Sequence, residues 1–167
     1  TGYRDLGTLG GRTSMASAIN EHGQVAGTAA TASGIQHAFL YTDGAMRDLG
    51  ALKGGWSHGY GMNDNGDVVG SATMVPIHDA PTHPFLYSGG AMQDLSVLGG
   101  IPNVGYGVAN GLNNAGTVVG EYVAETPDGP ASRAFLYEGG QMRDLNELTT
   151  LPAGWVLDET GRPVTDA

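Results

Sequence analysis

One phrase recurs along this chain and limits what it can fold into. It reads "HAFLYTDGAMRDLG" at 37–50, "HPFLYSGGAMQDLS" at 83–96 and "RAFLYEGGQMRDLN" at 133–146. Phe39, Phe85 and Phe135 are the only phenylalanines, and each holds the same place in its copy. A second block alternates with the first: "AINEHGQVAG" at 18–27, "GMNDNGDVVG" at 61–70 and "GLNNAGTVVG" at 111–120. A period of roughly 20–50 residues marks solenoids, propellers and other arrays, in which each unit buries its apolar face only against a neighbour.

Both blocks read as hairpins. In the first, two apolar stretches flank a short Asp-Gly or Gly-Gly turn, a strong local hairpin cue. In the second, Asn20, Asn63 and Asn113 start a turn through side-chain to backbone hydrogen bonds. Gly23, Gly66 and Gly116 supply the positive φ that closes it. Two hairpins make a four-stranded antiparallel unit of about 46 residues, the size of one propeller blade. Helical repeats need apolar faces of period about 3.6, and the chain has none. The 29 glycines agree, because each costs a helix interior roughly 0.5–1 kcal/mol against alanine while turns and strand corners accept it.

The expected fold is therefore all-β: a β-propeller-like array of three four-stranded antiparallel repeats, with a β-trefoil or β-prism as the alternative. A single repeat domain spans 1–167, with repeats near 8–50, 51–96 and 97–146. Three units are too few for an ordinary propeller, but the ends carry remnants. "YRDLG" at 3–7 is a further copy of the "MRDL" strand, so residues 2–7 form an N-terminal strand. "GWVLDETGRPVTDA" at 154–167 reads as two strands around Glu159-Thr160-Gly161. Together they form a partial fourth unit, completed within one chain or between chains.

These motifs resemble the HAF-repeat family of bacterial extracellular proteins, named for a His-Ala-Phe block. The resemblance rests on His37-Ala38-Phe39 with "HPF" at 83–85 and "RAF" at 133–135. It also rests on "DLGTLGG" at 5–11, the "IN..GQV.G" of 19–27 and the Gly-x-Met-x-Asp-Leu strands, and covers about residues 3–148. It implies a secreted or surface-attached β-repeat protein and brings no catalytic residues. Two features depart from the family. Its members often carry more repeats, and the final segment lacks the expected Asn-x-x-Gly-x-Val-x-Gly block.

Composition narrows the partners. A net charge of −10, with only seven scattered Lys and Arg, argues against a nucleic-acid partner. No apolar run is long enough for a membrane span. With no cysteine there is no disulfide framework and no thiolate metal site. The N-terminus shows no signal peptide, and the acidic, Lys-poor, Gly-rich composition fits the mature chain of an extracellular or cell-surface protein. No cofactor is expected.

Candidate chemistry weighs lightly against structural readings. "GWSHG" at 55–59 matches the nucleophile-elbow pattern, but that motif needs a following helix, and a strand and turn follow here. His37 and His83 share a repeat phase that Arg133 occupies in the third copy, which spoils a metal ring and favours hydrogen-bonded histidines. His78, Asp79 and His83 match no standard metal spacing. "NDNGD" at 63–67 lacks the ligand pattern of a calcium loop and reads as a turn. Asp5, Asp48, Asp94 and Asp144 recur once per copy and are expected to bond backbone N–H groups at strand ends, pinning the crossing between units. No metal centre is expected.

Two functional readings follow, both non-enzymatic, since no coherent acid, base or nucleophile set supports an enzyme with its site on a ring axis. The first is a structural and interaction module that associates with itself into an oligomer or filament. Tyr3, Arg4, Asp5 and Leu6 at one end and Trp155, Val156 and Leu157 at the other would pair between chains, because exposed strand edges pair unless blocked. The second is carbohydrate binding, with Trp56, Tyr60 and Tyr106 stacking on sugar rings of an extracellular polysaccharide.

Overall fold

The computed structural model describes residues 2–75, 77, 80–97 and 105–145, and the backbone of two short strands at 155–157 and 163–165. The elements described over these residues are strands. The first sheet contains β1 (Gly10–Ile19), β2 (Val25–Thr31), β3 (Gln36–Thr42) and β4 (Ala45–Asp48). The second contains β5 (Ser57–Met62), β6 (Val68–Thr73), β7 (Thr82–Ser88) and β8 (Ala91–Asp94). The third contains β9 (Gly107–Leu112), β10 (Val118–Thr126), β11 (Gly129–Glu138) and β12 (Gln141–Asp144). Each sheet is antiparallel with its strands in chain order, so each repeat is one four-stranded meander as the hairpin signals require. Among the described residues no helix is long and apolar enough to cross a membrane.

Local chemistry places the turns. Asp43 and Gly44 have φ of 52° and 84°, the paired positive values of a type I′ hairpin, and Gly89-Gly90 and Gly139-Gly140 repeat them. In the other hairpin, Asn63 Oδ1 accepts the Asp67 N–H at 3.0 Å, and the Gly66 N–H, at φ 80°, donates to the Asn63 carbonyl at 3.2 Å. Asn20 and Asn113 make the same five-residue turns.

The aromatic of each repeat sits across from a glycine: Phe39 pairs with Gly27, Phe85 with Gly70 and Phe135 with Gly120. A Cβ on Gly70 or Gly120 would overlap the phenylalanine ring and a carbonyl oxygen of the first strand. Glycine therefore seats the rings of Phe85 and Phe135, and all three rings are buried, at 1%, 0% and 0% exposure. Burial of that kind stabilises each unit by roughly 2–3 kcal/mol.

The C-terminal strands correct one reading. β13 (Trp155–Leu157) pairs with β14 (Pro163–Thr165), with Leu157 opposite Pro163. Ile19 stands opposite Val25, Met62 opposite Val68 and Leu112 opposite Val118 in the same way. In all four hairpins the intervening segment begins with Asn or Asp and has Gly fourth, so "DETGR" stands where "NEHGQ", "NDNGD" and "NNAGT" stand. The tail keeps the turn and register of that block in altered form, with Asp158, Pro163 and Thr165 where the other copies have Asn, Val and Gly.

Candidate functional site

The distinctive chemistry of this chain lies where one unit meets the next. β5 packs on β2 and β3, and β9 packs on β6 and β7. Each junction has an apolar centre. At the first, Ala26, Ala38, Leu40 and Leu49 meet Val68, Ala72, Phe85 and Tyr87. At the second, Val69 and Leu95 meet Ala109, Val118, Phe135 and Tyr137. Aliphatic residues of one sheet meet the aromatics of the next at both junctions.

A ladder of asparagine turns runs beside this core. Asn20 Nδ2 donates to the Asn63 carbonyl at 3.0 Å, and Asn63 Nδ2 donates to the Asn113 carbonyl at 3.1 Å. The Glu21 N–H donates to Asp64 Oδ1 at 3.1 Å, and the Asp64 N–H to Asn114 Oδ1 at 2.9 Å. The Asn114 side chain and the Glu21 N–H hold the Asp64 carboxyl below its usual pKa. "NDNGD" thus forms a turn that links units.

A clasp completes the junction. The fully buried Ser57 donates its hydroxyl to the Gly50 carbonyl and accepts the Ala38 N–H at 2.8 Å. The serine of "GWSHG" is therefore a fastener between units. Asp48 Oδ1 accepts the Gly50 N–H at 2.7 Å, which sets the turn presented to Ser57. Arg47 lies over the Tyr87 ring of the next unit, 5.8 Å from its centre.

The N-terminal segment reproduces this clasp without a unit behind it. Arg4 lies over the Tyr41 ring at 5.6 Å, the Gly7 N–H donates to Asp5 Oδ1 at 2.9 Å, and Ser14 donates to the Gly7 carbonyl at 2.7 Å. Leu6 and Leu9 pack on Phe39 and Tyr41, as Leu49 packs in the next junction. Tyr3–Leu6 pair with no strand among the described residues, and Tyr3 is fully exposed. The side chains of Trp155, Val156 and Leu157 lie outside the described residues. The spacing from Gly7 to Ser14 equals that from Gly50 to Ser57, and this shared phase is the signal by which sequence reading could have found the clasp.

The repeated aspartates and histidines act within units. His37 Nδ1 lies 2.9 Å from Asp48 Oδ1, and His83 Nδ1 lies 2.8 Å from Asp94 Oδ2. In the third unit Arg133 donates to Asp144 at 2.8 Å, so the guanidinium replaces the imidazole against the same carboxylate. Ser96 joins His83 and Asp94, but it approaches the same Nδ1 as the carboxylate at 2.9 Å and donates directly to Asp94 at 2.6 Å. An imidazole addressed at one nitrogen by both groups does not relay a proton from serine to aspartate. Among the described residues no cluster of three or more His, Asp or Glu is placed to hold a metal ion. His78 and Asp79 lie outside the described residues.

The aromatic candidates separate. Trp56 lines a groove of about 360 Å³ with Gln36, His58, Thr73, Ile77 and Thr82. His58 stacks on Tyr60, with ring centres 6.3 Å apart, and burial lowers its pKa below 6.5. Tyr106 holds the slot of Trp56 one unit later: its carbonyl accepts the Val123 N–H as that of Trp56 accepts the Thr73 N–H. Comparison with models of known families, with curated proteins and with solved structures found no match.

Proposed function

We propose that this chain is a non-enzymatic, extracellular β-repeat interaction module that associates with itself by strand exchange at its terminal segments. The observation that carries the reading is the docking of Arg4–Ser14. This segment makes part of the clasp on the first sheet, with its arginine over Tyr41 and its serine bond to Gly7, though no sheet stands behind it among the described residues. These contacts form from one short segment, and the equivalent segment of another copy carries the same groups. Arg47-Asp48-Leu49 and Arg143-Asp144-Leu145 repeat Arg4-Asp5-Leu6. Residues 3–6 also leave a backbone edge open for pairing, the usual opening for β-strand addition.

In this reading the units form a propeller-like array, and the β13–β14 hairpin, with Trp155, Val156 and Leu157, begins the next unit. The resemblance to HAF-repeat proteins supports an extracellular location. The test is the solution mass of the intact chain and of a chain lacking residues 2–7. A difference in assembly between the two supports exchange; the same mass for both, at every concentration, contradicts it.

The groove beside Trp56 favours a second reading, binding of a neutral extracellular polysaccharide. It combines an aromatic face with the polar groups of Gln36, His58, Thr73 and Thr82. Retained glycan binding after Trp56→Ala, or no binding across a glycan array, removes this reading.

A further inference from the structure

The chain has two Asn-Gly steps, Asn65-Gly66 and Asn110-Gly111, and the fold holds them differently. An asparagine before glycine is open to attack on its side-chain amide carbon by the glycine backbone nitrogen, because glycine has no Cβ to crowd the approach and rotates freely. Asn65 is exposed in the turn between β5 and β6, outside the paired residues of either strand. Asn110 lies inside β9. It is the extra residue of a bulge, but both its neighbours are paired, Ala109 with Gly120 and Gly111 with Val119, so its backbone is held from both sides. The positions matching Asn65 in the other turns are His22 and Ala115, which confines this exposed pair to the middle unit. The Asn65 amide is also a junction contact: Nδ2 donates to the Asn114 carbonyl at 3.0 Å. Asn114 is committed to the same turn, its Oδ1 accepting the Asp64 N–H at 2.9 Å and its Nδ2 donating to Asp64 Oδ2 at 2.8 Å.

We propose that Asn65 is a site of spontaneous deamidation, which loosens the junction between the second and third units as the protein ages. The Gly66 N–H leaves its 3.2 Å bond to the Asn63 carbonyl and gives its proton to hydroxide from the solvent. The freed nitrogen bonds to Asn65 Cγ, the Cγ–Nδ2 bond breaks as the nitrogen takes a proton from water, and ammonia departs. A five-membered succinimide remains, and water opens it. Attack at Cγ leaves aspartate. Attack at the main-chain carbonyl carbon leaves isoaspartate, in which the chain runs through the former side chain and is longer by a methylene. The balance is water in and ammonia out, with nothing oxidised or reduced. Either product puts a carboxylate where the turn had an amide donor facing the Asn114 carbonyl. It also adds a negative charge between Asp64 and Asp67, in a chain already at −10. Isoaspartate further lengthens a turn that Asn63 closes through Gly66 and Asp67 at 3.2 and 3.0 Å. The reaction needs no second copy and stands apart from self-association.

The test is ageing of the intact chain at mildly alkaline pH and physiological temperature, followed by peptide mapping that separates aspartate from isoaspartate. Asn65 is expected to convert to both acids, with isoaspartate in excess, several-fold faster than Asn110. In concentrated urea, where the turn and the ladder are both lost, the two rates should converge. An Asn65 that keeps its amide in the folded chain, or one that reacts no faster than Asn110, would overturn the assignment. So would aspartate as the sole product, which marks direct hydrolysis without the ring. The deamidated fraction, separated by its added charge, is then compared in urea unfolding with an Asn65→Gln chain aged in parallel. Glutamine keeps the amide but closes a less favoured six-membered ring, so this variant should hold its midpoint while the deamidated fraction unfolds at lower urea. Equal midpoints would overturn the effect on the junction.

Discussion

Asn63 donates its side-chain amide to the Asn113 carbonyl at 3.1 Å while its own carbonyl accepts the Asn20 amide at 3.0 Å. One turn residue therefore serves two junctions, from a side chain that is 4% exposed. Asn113 makes the same turn but stands exposed at the end of the ladder.

Asn63→Ala removes the amide rung, the bond to Asp67 and the turn-closing acceptor from a buried site, and should lower stability by about 2–3 kcal/mol. Asn113→Ala should cost only about 1 kcal/mol, because its turn is exposed to water. Urea unfolding of both variants measures the difference, which reports the rung between units.

Ser57→Ala leaves the Ala38 N–H and the Gly50 carbonyl without the hydroxyl that bridges them. A loss of about 1–3 kcal/mol is expected, the cost of an unsatisfied buried polar group. Ser14→Ala, at the exposed copy of the clasp, should cost less than 1 kcal/mol. Equal losses in thermal or urea unfolding would mean that the buried clasp carries no special weight.

The hairpins were legible in the sequence and the junctions were not, for a physical reason. Asn63 and Gly66, or Asp43 and Gly44, act on backbone a few residues away, so their identity and spacing suffice. Ser57 acts on Gly50 and Ala38 across two sheets, and nothing local distinguishes it from any other serine in a glycine-rich strand. Only its phase relative to Asp-Leu-Gly, shared with Ser14, carries the information. The candidate ligand aromatics were legible as a group, yet of the three only Trp56 lines the groove. The tail hid its kinship behind three changes, Asp158 for asparagine, Pro163 for valine and Thr165 for glycine.

His58 makes stability depend on pH. Burial lowers its folded pKa below the ordinary 6.5, so the unfolded chain binds more protons in that range. Stability should fall as pH drops from 6.5 through the folded value, and His58→Gln should flatten that slope. Asp64 adds a lower window. Its folded pKa lies below 3.8, so its contribution is present above that value and is lost as pH falls through the folded one. Asp64→Asn should remove that part of the acid transition. Urea midpoints between pH 3 and 8 separate the two.

Salt should favour assembly. Each copy carries a formal charge of −10, so copies repel at long range while the proposed contact is apolar and hydrogen-bonded. Raising ionic strength from about 0.01 to 0.15 M shortens the screening length from about 30 to 8 Å. Association measured by sedimentation should strengthen over that range, and weakening would point to ion pairs as the adhesive.

The most direct measurement is the weight-average mass by light scattering, over a wide concentration range, for the intact chain and for the chain lacking residues 2–7. The account predicts a mass that climbs above the monomer with concentration for the intact chain, and that climbs less once residues 2–7 are gone. Two compact monomers, unchanged at every concentration, would contradict it.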